Sequence, residues 1–266
     1  MSGNILIAQT SQVPNFKTLI AALKDILLET NMTFRPDGIR IINMDKSQTI
    51  LAHLFLDATK FQRYECKQEK IIIGLNVPHL FKLFGDINHE DVLTICIENE
   101  DYSDGIVSYL TLKFENKQSN KCKRQRLRLI EPDQEELTYP DVTFSSIINL
   151  SSTDFQKIIR DLQGISPTVE IKSVGTELTF KCSGQFATSE ISRYEKEGEM
   201  TSKVRPEPSK IIQGVFTLKN LNYFIKCTNL CPQVELYLEN DLPLVVKYNV
   251  SDLGDIKLCV SSIQSC

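Results

Sequence analysis

Along most of this chain, apolar residues alternate with polar ones in short runs rather than recurring at helical spacing. In the first half, residues 5–9, 32–35, 38–43, 50–56, 70–75, 92–98 and 108–114 read as strands bounded by polar turns. Pro36-Asp37-Gly38 supplies tight-turn chemistry between two of them. In the second half, residues 145–150, 168–172, 177–182, 188–193, 214–218, 234–238, 244–250 and 255–260 have the same texture. Four helical stretches interrupt the strands, at about 15–29, 78–85, 153–163 and 219–227. The first follows Pro14 and carries an apolar stripe of Phe16, Leu19, Ile20, Leu23 and Leu27. The second opens on Pro78 and closes on Gly85, and the third has a Ser-Ser-Thr-Asp entry suited to capping.

The pattern is written twice. Phe16-Lys17 leads into Leu19, Ile20 and Leu23, and Phe155-Gln156-Lys157 leads into Ile158, Ile159 and Leu162 in the same rhythm. The stretch from Leu80 to Phe84, followed by the run from Val92 to Asn99, has its echo in Leu221 to Ile225 followed by Val234 to Asn240. The offset stays near 140 residues, so two copies of one module fill the 266-residue chain. The reading is an N-terminal domain at 1–130, an acidic, proline-containing linker at 131–144 and a C-terminal domain at 145–266.

Charge adds a second pattern. The chain is acidic, with a net charge of −4, yet its helices carry Lys17, Lys24, Lys82, Lys157, Arg160, Lys219 and Lys226 off their apolar sides. Acidic residues there are fewer: Asp25, Asp154 and Asp161, with Glu29 at the end of the first stretch. One amphipathic helix showing cations to water means little. Four with the same bias in an acidic chain point to a surface that faces phosphate. The strongest basic run contains Lys121, Lys123, Arg124, Arg126 and Arg128, and its alternation with Gln125, Leu127 and Leu129 reads as an edge strand. A second edge strand, residues 186–195, carries Glu190 and Glu195.

Composition narrows the function classes. With 41% apolar and 24% charged residues the chain has a globular make-up, no apolar run approaches a membrane span, and no secretory leader is expected. Eight cysteines without any Cys-x-x-Cys spacing, and only three histidines, read as buried free thiols rather than a metal site. There is no phosphate-cradling glycine loop, no nucleophile elbow and no His-x-x-x-His, so neither catalysis nor a cofactor is expected.

Specific strings then carry a resemblance. They are Ala22-Leu23-Lys24-Asp25, Met44-Asp45 followed by a serine, Cys66 in its Tyr-x-Cys, Gly74-Leu75-Asn76, Arg160-Asp161-Leu162 and Ser183-Gly184. Leu221-Asn222 with Phe224 and Lys226, the run from Leu242 to Tyr248 (LPLVVKY), Leu253-Gly254 and Ile256-Lys257 follow in order. In these strings and their spacing the chain resembles the DNA sliding clamps of the proliferating cell nuclear antigen family, as a divergent member. The resemblance implies an α+β DNA-clamp fold: two similar domains, each with antiparallel sheets outside and two helices inside, closing as three head-to-tail subunits into a ring around duplex DNA. It implies that the seven helix cations face the duplex without reading bases. It also implies that the Lys121–Arg128 edge pairs with the Glu190/Glu195 edge of the next subunit. A partner-peptide pocket would involve Met44, Leu51, Leu137, Tyr139, Pro243, Cys259 and Ser261, receiving a one-turn helix with a glutamine, an aliphatic and two aromatics. Cys259 stands where the family often has an aromatic, and Ser261-Ser262 replaces an Ala-Pro pair. Implied partners are a DNA polymerase, other replication and repair proteins and a clamp loader, in the nucleus or a viral replication compartment, with no membrane. The alternatives are a subunit of a heterotrimeric, checkpoint-type clamp and a monomeric DNA-binding processivity factor of the same fold.

Overall fold

The computed structural model describes residues 3–85, 87–88, 90–116, 118–133, 137–139, 142–207 and 209–263. They divide into two compact units, one formed by Met1–Lys46, Ala52–Tyr139 and Val250–Ile256, the other by Ser47–Leu51, Pro140–Asn249 and Lys257–Cys266. No helix among the described residues is long and apolar enough to cross a membrane.

The first unit runs β1 (Asn4–Thr10), α1 (Val13–Ile26), β2 (Glu29–Arg35), β3 (Gly38–Met44), β4 (Ile50–Asp57), β5 (Arg63–Cys66), β6 (Ile71–Asn76) and α2 (Val77–Leu83). It continues with β7 (Val92–Glu98), a small hairpin of β8 (Tyr102–Ser103) and β9 (Ile106–Val107), β10 (Tyr109–Asn116) and β11 (Lys121–Arg128). The second unit runs β12 (Ser146–Ser151), α3 (Ser152–Gln163), β13 (Thr168–Val174), β14 (Glu177–Ser183), β15 (Thr188–Tyr194) and β16 (Met200–Val204). There follow β17 (Ile212–Thr217), α4 (Leu218–Phe224) with a 3-10 segment at Ile225–Leu230, β18 (Gln233–Leu238), β19 (Leu244–Val250) and β20 (Gly254–Val260).

The duplication read from the sequence reappears strand for strand. Sheet neighbours run β11-β10-β7-β1-β5 and β4-β3-β2-β6 in the first unit. In the second they run β20-β19-β18-β12-β16 and β15-β14-β13-β17, the same order element by element. Alternation produces it: in β4, Ile50, Ala52, Leu54 and Leu56 are buried while the residues between them are half-exposed. Each helix then buries its apolar stripe. Phe16 of α1 stacks on Phe84 at 5.9 Å, and Phe84 meets Phe114 edge-on at 5.5 Å. In the second unit Phe155 of α3 packs on Phe180 at 6.3 Å.

Several boundaries differ from the sequence reading, each for a physical reason. Pro14 lies inside the first turn of α1, where its missing N–H costs nothing, and Glu29 already belongs to β2. Ser151 does not cap α3; its hydroxyl bonds to Thr153 at 2.9 Å, and the Ser152 N–H donates to the Pro232 carbonyl at 2.9 Å. The fourth helix tightens to 3-10 geometry after Phe224, so Lys226 is no longer one heptad along an α-helix from Lys219. Strands β5 and β16, which alternation did not reveal, are the outermost neighbours of β1 and β12 in their sheets.

Candidate nucleic-acid interface

In the first unit α1 and α2 lie side by side, and in the second α3 lies beside α4 and its 3-10 extension. The stripe residues of these helices are buried: Val13, Phe16, Leu19, Ile20 and Leu23 on α1, and Phe155, Ile158, Ile159 and Leu162 on α3. Burying those positions leaves the lysines and arginines off that stripe. Lys82, Lys157, Arg160, Lys219 and Lys226 are exposed, and Lys17 and Lys24 are half-buried. All seven anticipated cations therefore remain accessible on the two helix pairs.

They are held differently. Lys17 donates to the Gly85 carbonyl at 2.7 Å, tying α1 to the end of α2. Lys24 pairs with Asp25 at 3.0 Å and lies 5.1 Å from the centre of the Phe81 ring. Lys226 lies over the Tyr223 ring at 5.5 Å. Lys82, Arg160 and Lys219 make no hydrogen bond or ion pair with any described residue. The acidic residues of these helices are partly neutralised. Asp154 accepts two hydrogen bonds from the Arg193 guanidinium, at 2.7 and 2.8 Å. That guanidinium holds the Asp154 carboxyl below the usual range. Arg193 belongs to β15, 39 residues from Asp154, and no local pattern marks it as the partner of a helix acid.

The two edge strands are where they were expected, but Arg124, Arg126, Glu190 and Glu195 are already engaged within the chain. β11 ends its sheet, with Lys121, Lys123, Arg124, Arg126 and Arg128 exposed and Leu127 buried. Arg124 donates to both oxygens of Glu98 at 2.7 and 2.6 Å. Arg126 pairs with Asp101 and stacks over Tyr109, 4.3 Å from its centre. Glu98, Glu100 and Asp101 lie close enough to share an ion, yet Arg124, Arg126 and Lys113 already compensate two of them. β15 is the other edge; Glu190 lies 3.6 Å from Lys181, and Glu195, one residue past the strand, pairs with Arg205.

Of the anticipated peptide-pocket residues, Met44, Leu137 and Tyr139 belong to the first unit and Leu51, Pro243, Cys259 and Ser261 to the second. Within the first unit, Tyr139 stacks on His53 at 4.9 Å. The start of the 131–144 segment is anchored there too: Ile130 bridges to Gly74, and Asn31 and Asp133 exchange hydrogen bonds at 2.7 and 2.9 Å. Gly74 is required for that approach, since a Cβ would stand 2.7 Å from the carbonyl oxygens of Ile130 and Glu131. Residues 137–139 also wall a cavity of about 330 Å³ over the outward face of β2, β3 and β6. Its floor carries Asn31 and Thr33 of β2 between Ile42 of β3 and Ile72 of β6, with Arg35 and Lys70 at one end and Arg40 on the rung of Thr33 and Ile72. Sequence reading did not single out those cations, although their places at alternate strand positions put them on the face opposite Phe34 and Ile71.

The thiols are only partly as expected. Cys96, Cys182, Cys227 and Cys259 are buried, but Cys66 and Cys231 are half-buried and Cys122 is exposed on β11. Burial pushes the Cys227 thiol up to about 12, which suppresses its thiolate.

The comparisons with known proteins agree with this architecture. The N-terminal domain model of proliferating cell nuclear antigen matches residues 5–136, and the C-terminal domain model matches residues 138–263. The chain is also 30% identical over 263 residues to a "Probable DNA polymerase sliding clamp 1" of Paramecium bursaria Chlorella virus 1, covering 97% of this chain and 96% of that protein. Two matched domain models that together span nearly the whole chain, on a fold duplicated strand for strand, place this protein in the proliferating cell nuclear antigen family.

Proposed function

We propose that the chain is a DNA sliding clamp: three copies join head to tail into a ring, and the helix pairs face the duplex passing through it. The observation that carries this reading is the repeated helix pair, with its accessible cations and Asp154 held by Arg193. Such a surface attracts phosphates without reading bases, which leaves the ring free to move. The relative named as a DNA polymerase sliding clamp supports the same role. The role is non-enzymatic: the clamp tethers a DNA polymerase and other replication or repair proteins, after a loader has opened it.

Ring closure joins unlike edges, so β11 of one subunit meets β15 of the next. The partner-peptide pocket is assigned to Met44, Leu51, Leu137, Tyr139, Pro243, Cys259 and Ser261, with residues 131–144 as its connecting segment. A viral relative makes a viral replication compartment as suitable a setting as the nucleus.

The test is retention on circular duplex DNA before and after linearisation, with a loader supplied. A closed ring stays on the circle and is lost from free ends. Equal retention on both forms would favour a monomeric processivity factor that grips DNA directly. Light scattering on the lone chain separates a homotrimer from one member of a heterotrimeric clamp.

A further inference from the structure

The cavity over β2, β3 and β6 lies wholly within the first unit, and the helix cations contribute nothing to its lining. Strand register builds it: Thr33 pairs with Arg40 on one side and Ile72 on the other, while the Phe34–Ile71 pair sets Arg35 beside Lys70. The result is a trough whose floor carries Ile42 and Ile72 on either side of Asn31 and Thr33, with Arg35 and Lys70 at one end. Arg40 is committed to Asp37 by two hydrogen bonds, at 2.7 and 2.8 Å, and lies over the Phe55 ring. The Arg35 guanidinium has no hydrogen bond or ion pair among the described residues, although the Arg35 carbonyl accepts from the Tyr64 hydroxyl. One guanidinium with open donors, one rung from Ile72, matches a carboxylate close to an aliphatic side chain. It is a poor phosphate cradle, which needs several converging donors. About 330 Å³ admits two or three side chains, and a pleated floor favours an extended segment over a helix.

We propose that this trough docks an extended acidic–aliphatic segment of a partner protein. A glutamate or aspartate binds Arg35, and successive leucines or isoleucines of the segment rest on Ile72 and then Ile42, on the face walled by Leu137. The proposal rests on the tethering reading and deepens it with a contact of different chemistry that shares Leu137 and Tyr139 with the glutamine-and-aromatic pocket.

The probe is a fluorescein-labelled nonapeptide of alternating glutamate and leucine, titrated into the full chain by anisotropy. Glutamine–leucine and all-glutamate versions, inorganic phosphate and a short DNA duplex serve as comparisons. The expected result is binding at least 10-fold tighter for the glutamate–leucine peptide than for either comparison peptide. Arg35→Glu and, separately, Ile42→Ser should each weaken it at least 10-fold, while retention on circular DNA is unchanged. Equal binding of the glutamine–leucine or all-glutamate peptide, insensitivity to both substitutions, or displacement by phosphate or duplex at equal concentration would overturn the assignment. Should Arg35→Glu fail to fold, Ile42→Ser alone decides, because Ile42 is half-exposed on the outward face. Loss of circular-DNA retention in the unaltered protein with peptide binding intact would count against the clamp reading and leave the trough standing.

Discussion

Gly38 has φ of +149°, and a Cβ there would lie 2.1 Å from the Leu56 carbonyl oxygen. The Tyr64 hydroxyl donates to the carbonyls of Arg35 and Gly38 at 2.7 and 2.9 Å, so the turn has little room to relax. Gly38→Ala should therefore cost about 2–4 kcal/mol, read as a lower urea midpoint at unchanged slope. Glu239 offers a pH test. Burial opposes its charge, but hydrogen bonds from Ser145, Lys210 and the Asn240 N–H outweigh it and bring its pKa down to about 2. An unfolded glutamate titrates near about 4.3. Because the folded value is the lower one, this carboxylate stabilises the protein fully above about pH 4.5, and the benefit fades as pH falls toward 2. Glu239→Gln should lose about 1–2 kcal/mol at pH 7, and thermal melts should show the gap to the unaltered protein closing between pH 4 and pH 2. The turn residues around Gly38 were legible in the sequence. The Glu239 network was not, since Ser145 and Lys210 are 94 and 29 residues away.

At the scale of elements, the strands with one buried face were legible and the outermost ones were not. β4 alternates cleanly and was found, whereas β5 (RYEC) and β16 (MTSKV) bury few side chains and are held by backbone pairing to β1 and β12. The same element escaped in both halves, as it should if apolar patterning is what makes a strand readable. Helix existence was plain, but not helix ends: the fourth helix passes into 3-10 geometry at Ile225–Leu230, a change that apolar periodicity does not carry. Phe84, just past α2, joins that helix to α1 through Phe16 and to β10 through Phe114. Phe84→Ala should cost about 3–5 kcal/mol in chemical denaturation. On α3, Arg160→Ala should leave the fold intact and weaken DNA attraction alike for all sequences. The slope of log affinity against log salt should fall by about 1, measured by fluorescence titration.

For the whole molecule, the basic and acidic edges were visible in the sequence, but their internal pairing was not. Arg124 and Arg126 reach Glu98 and Asp101, 26 and 25 residues back, only because the β7-β10-β11 ladder brings them together. Asp101 is buried, so Arg126→Glu would place a second negative charge against it as well as altering the edge. Sedimentation velocity should show lighter species for Arg126→Glu, and trimers persisting at wild-type concentrations would remove the β11 edge from the closure model.

The hairpin of β8 and β9 has a consequence of its own. It lies within the connection 99–108 between β7 and β10, whereas β18 and β19 are joined by residues 239–243 alone. A perfect tandem repeat would offer every visitor two indistinguishable addresses. With Ile106 standing 71% exposed near its tip, this insertion gives one half a label that the other lacks.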